Sequence, residues 1–242
     1  MLRDDEDAMG HLMWDHFQGQ EVQEVVERED GYIDVTNGPS SYFASYEDWA
    51  RHEQRAMRYA RGGVLDIGVG AGRHALYLQD QGLGVTGVDI SPRALRVARE
   101  RGLRRTEAAA VTQLSRRLGT FDTLMMMGNN FGLFANPRRM RWLLRRFAGM
   151  TTEAARIIAE TRDVYQTERP EHLEYHAWNR RRGRMSGQVR IRVRYRKYAT
   201  PWFDYLMVSR EELQALLAGT AWQVHRFVEP DGELYVAILE KR

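Results

Sequence analysis

The stretch that most restricts how this 242-residue chain folds is VLDIGVGAGRHALYLQ, Val64 to Gln79. An apolar run ends at Ile67, glycines stand at 68, 70 and 72, and a helical pattern follows with Ala71, Ala75 and Leu78 on one face. Glycines there let a ligand approach the backbone closely, and the helix start offers free N–H groups and a field worth ~0.3–1 kcal/mol to an anion. The dinucleotide pattern G-x-G-x-x-G is not met, because Arg73 stands where its third glycine belongs, and no G-K-[ST] follows to make a Walker loop. Asp89 comes 17 residues after Gly72, at the end of the next apolar stretch. From there its carboxylate can accept from both hydroxyls of a ribose. Asp66 is placed to order the loop through its N–H groups, and Ile90 offers apolar surface to a purine face.

The surrounding pattern alternates strand and helix. Strands are expected at 64–67, 84–90, near 106–110, at 121–127 and at 155–161. Helices are expected after the glycine loop, after Ser91-Pro92 as N-cap and first residue, and after Asn136-Pro137, where Met140, Leu143, Leu144 and Phe147 fall at i, i+3, i+4 and i+7. This alternation predicts an α/β fold, a parallel sheet covered on both faces. Residues 1–61 read as a mostly helical lead-in, with Ser45 and Asp48 capping a helix that runs through Trp49 and Ala56. From about residue 163 the pattern changes to period 2. HLEYHAWN and QVRIRVRYRKY, joined by RRRGRMSG, read as an antiparallel hairpin, with WFDYLMV as a third strand. Ser209 and Glu212 form a capping box for a last helix, and strands 222–228 and 233–239 flank the turn EPDG.

LDIGVGAGR followed by GVTGVDISPRAL closely resembles the class I S-adenosylmethionine-dependent methyltransferases of small-molecule type. The resemblance covers residues 62–162 well and the last helix and two strands by order. It implies a seven-stranded Rossmann-like sheet with one antiparallel strand, helices on both faces, and S-adenosyl-L-methionine as cofactor. It also implies that Gly68, Gly70 and Gly72 contact the methionine part and Asp89 holds the ribose. Many members carry an acidic residue after the third strand that contacts adenine. Here TEAAAVTQL puts Ala110 at that place, so the backbone of Ala110 or Val111 is left to bond the adenine. Four segments follow: a helical N-terminal lid (1–61), the cofactor-binding core (62–162), an antiparallel β insertion after strand five (163–208), and a helix with two strands completing the sheet (209–242).

The methyl acceptor is expected in the lids and at the strand ends, and is read as a small molecule methylated on O or N, mainly by proximity and in-line orientation. Asn129 and Asn130, after the fourth strand, either orient a substrate or bond loop backbone. His74 is a candidate base or a locally packed residue. His172 and His176 share one face of the proposed hairpin strand; one of them is a candidate pocket base, and no metal site is read from them. Tyr42 is a candidate lid residue over the cofactor.

Charge carries the rival reading. Residues 1–60 hold 14 acidic and 5 basic side chains, so the remainder carries the excess that leaves the chain at +3. Arg190, Arg192, Arg194 and Arg196 alternate with Val189, Ile191, Val193 and Tyr195. Four arginines in a strip can track phosphates, which makes an RNA or protein methyltransferase the alternative. The strip equally fits an exposed sheet face paired with the acidic first 60 residues. A non-catalytic cofactor-binding scaffold is the third reading. The absence of cysteine excludes disulfides and thiol chemistry. The acidic start lacks the order of a signal peptide and no long apolar run is present, so a cytoplasmic monomer or homodimer without a membrane partner is expected.

Overall fold

The computed structural model describes residues 1–36, 38–228 and 233–242. In chain order the elements are α1 (Ala8–Phe17), β1 (Glu24–Arg28), β2 (Ile33–Thr36), α2 (Gly38–Ser41), α3 (Arg51–Met57), β3 (Gly63–Ile67), α4 (Arg73–Asp80), β4 (Gly84–Asp89), α5 (Pro92–Glu100), β5 (Thr106–Ala108), β6 (Phe121–Met126), α6 (Pro137–Gly149) and β7 (Thr151–Arg162). They continue with α7 (Pro170–Arg181), β8 (Gln188–Tyr195), β9 (Tyr198–Ala199), β10 (Phe203–Leu206), α8 (Arg210–Leu217), β11 (Trp222–Val228) and β12 (Leu234–Lys241).

Seven strands form one sheet in the order β11-β12-β7-β6-β3-β4-β5. β3, β4, β5, β6 and β7 pair in parallel, while β12 runs antiparallel to both β7 and β11. The expected Rossmann-like sheet with one reversed strand is therefore present. Its helices start where local chemistry directs. Ser91 Oγ accepts from Ala94 N–H at 3.0 Å with Pro92 in the first turn, and Asn136 Oδ1 accepts from Arg139 N–H at 2.9 Å with Pro137 behind it. Ser209 and Glu212 close their capping box reciprocally. The α6 stripe of Met140, Leu143, Leu144 and Phe147 is buried in one layer of core with Trp222. Ala75 and Leu78 of α4 lie in the layer on the other face, with Leu95 and Ala98 of α5.

A second, antiparallel sheet lies outside the first, in the order β10-β8-β1-β2 with β9 beside β8. Here the structure corrects three expectations. Residues 1–61 are not mostly helical, since they supply β1 and β2. The stretch HLEYHAWN is helix α7, not a hairpin strand, and the partners of β8 are β1 and β10. His172 and His176 stand at i and i+4, which share a face in a helix as well as in a strand, and Pro170 at the helix start tips the choice. Ser45 does not cap a long helix: its Oγ donates to Asp48 Oδ2 at 2.7 Å across a single 3-10 turn, and α3 begins only at Arg51. The turn EPDG lies outside the described residues.

The alternation in β8 holds. Val189, Val193 and Tyr195 are buried on the side facing the molecule. On the outer side Arg192 meets Glu27 at 2.8 Å, Arg194 the same carboxylate at 3.4 Å, Arg196 meets Asp15 at 2.8 Å, and Arg190 meets Asp204 at 3.3 Å. Three of the four arginines thus face carboxylates of the first 60 residues. No helix of the described residues is long and apolar enough to cross a membrane.

α7 is tied to β8 by the Tyr175 hydroxyl, which accepts from Arg190 N–H at 3.3 Å, and by a buried amide. Asn179, fully buried, donates through Nδ2 to the carbonyls of Ser186 (3.1 Å) and Gln188 (2.6 Å). Asn179→Ala leaves both carbonyls unpaired and is expected to lower stability by about 1–3 kcal/mol. A urea midpoint that does not move would contradict this role.

Candidate functional site

The glycine loop takes its shape from three left-handed residues, Gly68 (φ 77°), Gly70 (φ 53°) and Gly72 (φ 86°). At Gly68 even a Cβ would stand 2.6 Å from Asn130 Nδ2, so the position is closed to side chains on two counts. The loop N–H groups are not ordered by Asp66, as the sequence suggested. Gly68 and Val69 donate to the carbonyl of Val88 at 2.8 and 3.0 Å, and Gly70 donates to Asp89 Oδ2 at 2.9 Å. The other Asp89 oxygen accepts from Ser91 N–H at 2.9 Å. One carboxylate therefore ties the loop to the start of α5. A carboxylate has about four acceptor positions, so room for two ribose hydroxyls remains.

Burial raises the Asp89 carboxyl above its usual range, and the two backbone N–H donors hold it down. Asp66 lies beneath, buried and pushed up to about 8 by desolvation, with the Asp89 charge adding and Arg73 opposing. Ile90 is 39% exposed, an apolar side chain left open beside the loop. Ala110 and Val111 face the same cavity. The Ala110 N–H is taken by Gln113 Oε1 at 2.9 Å, while Val111 opens a 3-10 turn, whose first N–H groups have no acceptor inside the turn.

On the other side of the loop the two asparagines separate in role. Asn130 Nδ2 donates to the carbonyls of Ile67 (3.2 Å) and Gly68 (2.9 Å), bonding loop backbone. Asn129 has left-handed backbone (φ 63°), braced by its N–H to Glu160 Oε2 at 2.8 Å and by its carbonyl, which accepts from the Tyr205 hydroxyl. Its buried Oδ1 has no hydrogen-bond partner among the described residues. Glu160 is itself buried and receives His52 Nε2 at 2.8 Å. His52, Glu53 and Glu160 bring ligand atoms within 4.8 Å of one another, but Arg73 already claims Glu53 at 2.7 Å.

His74 is buried, packs edge-on against Trp49 at 4.6 Å, and has Nε2 3.2 Å from Arg73 Nη2. Burial and that guanidinium hold it well below the usual histidine range, so it is neutral and occupied. His176 is pushed down to about 4, chiefly by burial. Tyr42 points its hydroxyl at Glu24 (3.1 Å), and burial with that carboxylate raises the phenol.

Of the residues named so far, Gly68, Gly70, Asp89, Ile90, Ala110, Val111, Asn129, Asn130, His74, His176, Tyr42, Glu24 and Tyr205 line one cavity of about 950 Å³. Its floor is the C-terminal ends of β3, β4 and β6; its roof is the inner face of the second sheet, with Val26, Val189 and Tyr205. Leu2, Met9 and Met13, from the N-terminal segment and α1, close it on the cofactor side. The sequence did not point to Glu24, Glu160 or Tyr205. Their signal is three-dimensional, since they come from β1, β7 and β10, which only the two-sheet arrangement brings together.

A glycine loop after the first parallel strand, a carboxylate ending the second and one reversed strand among seven define a nucleoside-binding α/β fold of the methyltransferase type. Residues 64–153 match the family model described as a methyltransferase domain. A SAM-dependent methyltransferase from Bacteroides fragilis, solved in complex with S-adenosyl-L-homocysteine, superposes with a TM-score of 0.84 at 23% identity, over 100% of this chain and 97% of that one. The CcbJ methyltransferase from Streptomyces caelestis gives 0.58 at 14% identity, over 81% and 94%. Among curated proteins, a glycine/sarcosine N-methyltransferase from Parasynechococcus marenigrum (strain WH8102) is 32% identical over 142 residues, which are 55% of this chain and 48% of that protein. The match therefore spans about half the length of that relative.

The chain thus shares the fold of S-adenosylmethionine-dependent methyltransferases, and its residues 64–153 match the methyltransferase-domain model. The loop fits that cofactor: three glycines in left-handed backbone that side chains rarely adopt, a carboxylate with spare acceptor positions, and an open apolar side chain beside them. Bound there, the cofactor supplies a methyl group activated by a positively charged sulfur.

The Asp66 carboxyl gives the ligand-free site a pH signature. It is protonated in the folded protein up to about 8 and ionised above ~3.9 in the unfolded chain. Its stabilising contribution is thus complete below ~4 and is lost as pH rises through about 8. Asp66→Asn should flatten the fall in melting temperature between ~pH 5 and ~8.5 relative to wild type. Parallel curves for the two proteins would show that the carboxyl is already ionised.

Proposed function

We propose that the protein binds S-adenosylmethionine through Gly68, Gly70, Gly72, Asp89 and Ile90, with Val111 or Ala110 at the adenine, and moves its methyl group to an O or N atom of a small molecule. The supporting observation is the single cavity that joins the glycine loop to the second sheet. At about 950 Å³ it lies at the upper end of the ~300–1,000 Å³ range of ligand pockets, with room for a cofactor and a small second molecule. Val26, Val189, Ile191, Val193 and Phe203 make the apolar part of its roof. The sulfonium is a good leaving group, so the task of the chain is to hold an acceptor atom in line behind the methyl carbon. Asn129 and Tyr205, next to the loop, are the positioning groups; His74, held by Arg73 and Trp49, is assigned a packing role.

The ion pairs along β8 favour this reading over a nucleic-acid acceptor. A strip whose guanidiniums already face Glu27, Asp15 and Asp204 has less to gain from phosphates. RNA held at nanomolar affinity near ~150 mM salt, and released by charge reversal at Arg192 and Arg194, would reverse that preference.

The decisive experiment is titration calorimetry with S-adenosylmethionine and with NAD. The expected result is binding of the first alone, weakened by about 1–3 kcal/mol in Asp89→Ala, which removes a charged acceptor. NAD binding without S-adenosylmethionine binding sinks the proposal.

A further inference from the structure

β1 carries two acids on opposite faces, with opposite surroundings. Glu27 faces out and is neutralised by Arg192 and Arg194. Glu24 faces the cavity, is 6% exposed, and among the described residues accepts from two hydroxyls, Thr36 Oγ1 at 2.7 Å and Tyr42 at 3.1 Å. Among the described residues no lysine, arginine or histidine is paired with it. The guanidiniums that share the cavity are committed elsewhere: Arg28 to Asp30, Arg73 to Glu53, Arg162 to Glu233 and Arg169 to Glu171. Exposed Arg139 also reaches the lining.

The backbone is shaped around this carboxylate. A Cβ on Gly38 would stand 2.5 Å from Glu24 Oε2 and 2.9 Å from Thr36 Oγ1. A buried carboxylate is costly unless a cation or several donors meet it, and two hydroxyls leave its charge uncompensated. The carboxylate lines the same cavity as the glycine loop. Burial raises both its partner Tyr42 and the nearby Tyr205, with the Glu24 charge adding to each and Glu160 adding more than Glu24 at Tyr205; the Tyr205 hydroxyl donates to the carbonyl of Asn129. Asn129 adds a second acceptor, its unpartnered Oδ1. Two acceptors on the wall of one cavity suit a group rich in N–H.

Resting on the reading above, we propose that the methyl acceptor is an amine and that Glu24 is the residue that receives it. The ammonium form is drawn in by the carboxylate and hydrogen-bonded to it. One N–H proton passes to Glu24, freeing the nitrogen lone pair. That lone pair forms the new bond to the methyl carbon as the carbon–sulfur bond breaks, and sulfur keeps the electron pair of the broken bond. The N-methylated product, again an ammonium, leaves with its charge, and the Glu24 proton returns to solvent.

The test uses wild-type protein and Glu24→Gln, which keeps acceptors for Thr36 and Tyr42 but removes the charge. Matched probes differ in one atom: benzylamine and benzyl alcohol, glucosamine and glucose, ethanolamine and ethylene glycol. Methyl transfer is read as S-adenosylhomocysteine formed and as product mass, and binding is read by calorimetry on protein saturated with S-adenosylhomocysteine. The expected result is binding and methylation of amines, not of their hydroxyl partners. In Glu24→Gln amine affinity should fall at least ~10-fold, consistent with loss of a charge-assisted bond, while cofactor affinity stays within ~2-fold. Methylation of a hydroxyl partner, amine binding unchanged in the variant, or cofactor binding with no amine bound or methylated would each overturn the proposal. Wild-type discrimination between amine and hydroxyl decides the matter even if the variant does not fold. Failure to bind the cofactor at all would instead overturn the preceding reading.

Discussion

The pairing of β1 with β8 is the contact on which the cavity depends. Without it there is a cofactor fold with an open top; with it, the acidic N-terminal segment and the later insertion become one roof. The pair is registered by backbone hydrogen bonds and by Glu27, whose carboxylate reaches two arginines on the neighbouring strand. Those ion pairs are half-exposed, and each contributes little by itself. Their value lies in register: a slip by one residue would turn Val189 and Val193 outward and bring arginines into the cavity. The same alternation that hides the apolar face of β8 directs Glu24 inward and Glu27 outward.

A second brace runs from α3 to the loop after β6. Asn129 sits in backbone that a side chain adopts only at a cost of order ~1–3 kcal/mol. The cost is met by its two bonds, from its N–H to Glu160 and from the Tyr205 hydroxyl to its carbonyl. Glu160 is held in turn by His52 of α3. The lead-in, the core and the insertion thus each contribute one member to fixing a single residue beside the glycine loop.

The cofactor half of the molecule was legible because its signals are local. Glycine spacing, the Ser91-Pro92 and Asn136-Pro137 starts and the Ser209/Glu212 box all act within a few residues, and each is found where it was read. The roof was harder to read because its strands are defined by distant partners. Glu21, Glu24 and Glu27 recur every third residue, which suits a helix, and only the edge offered by β8 makes that stretch a strand. In HLEYHAWN the alternation of size was taken for period 2, although Pro170 marked a helix start. Asp66 was read as the organiser of the loop because of its position two residues before Gly68. The structure gives that work to the Val88 carbonyl and to Asp89, groups that no spacing along the chain brings to mind.

The sewing of the roof from both ends of the chain has a consequence for how the molecule assembles. Glu27 and Arg192 are 165 residues apart, so the second sheet is a late, slow-closing element, while the parallel core grows from neighbouring segments. During synthesis the β1–β2 hairpin must wait, with its apolar edge unpaired, until the ribosome has delivered residue 195. Over that stretch the hairpin carries Glu24, Glu27, Glu29, Asp30 and Asp34, like charges that oppose edge-to-edge pairing with another copy.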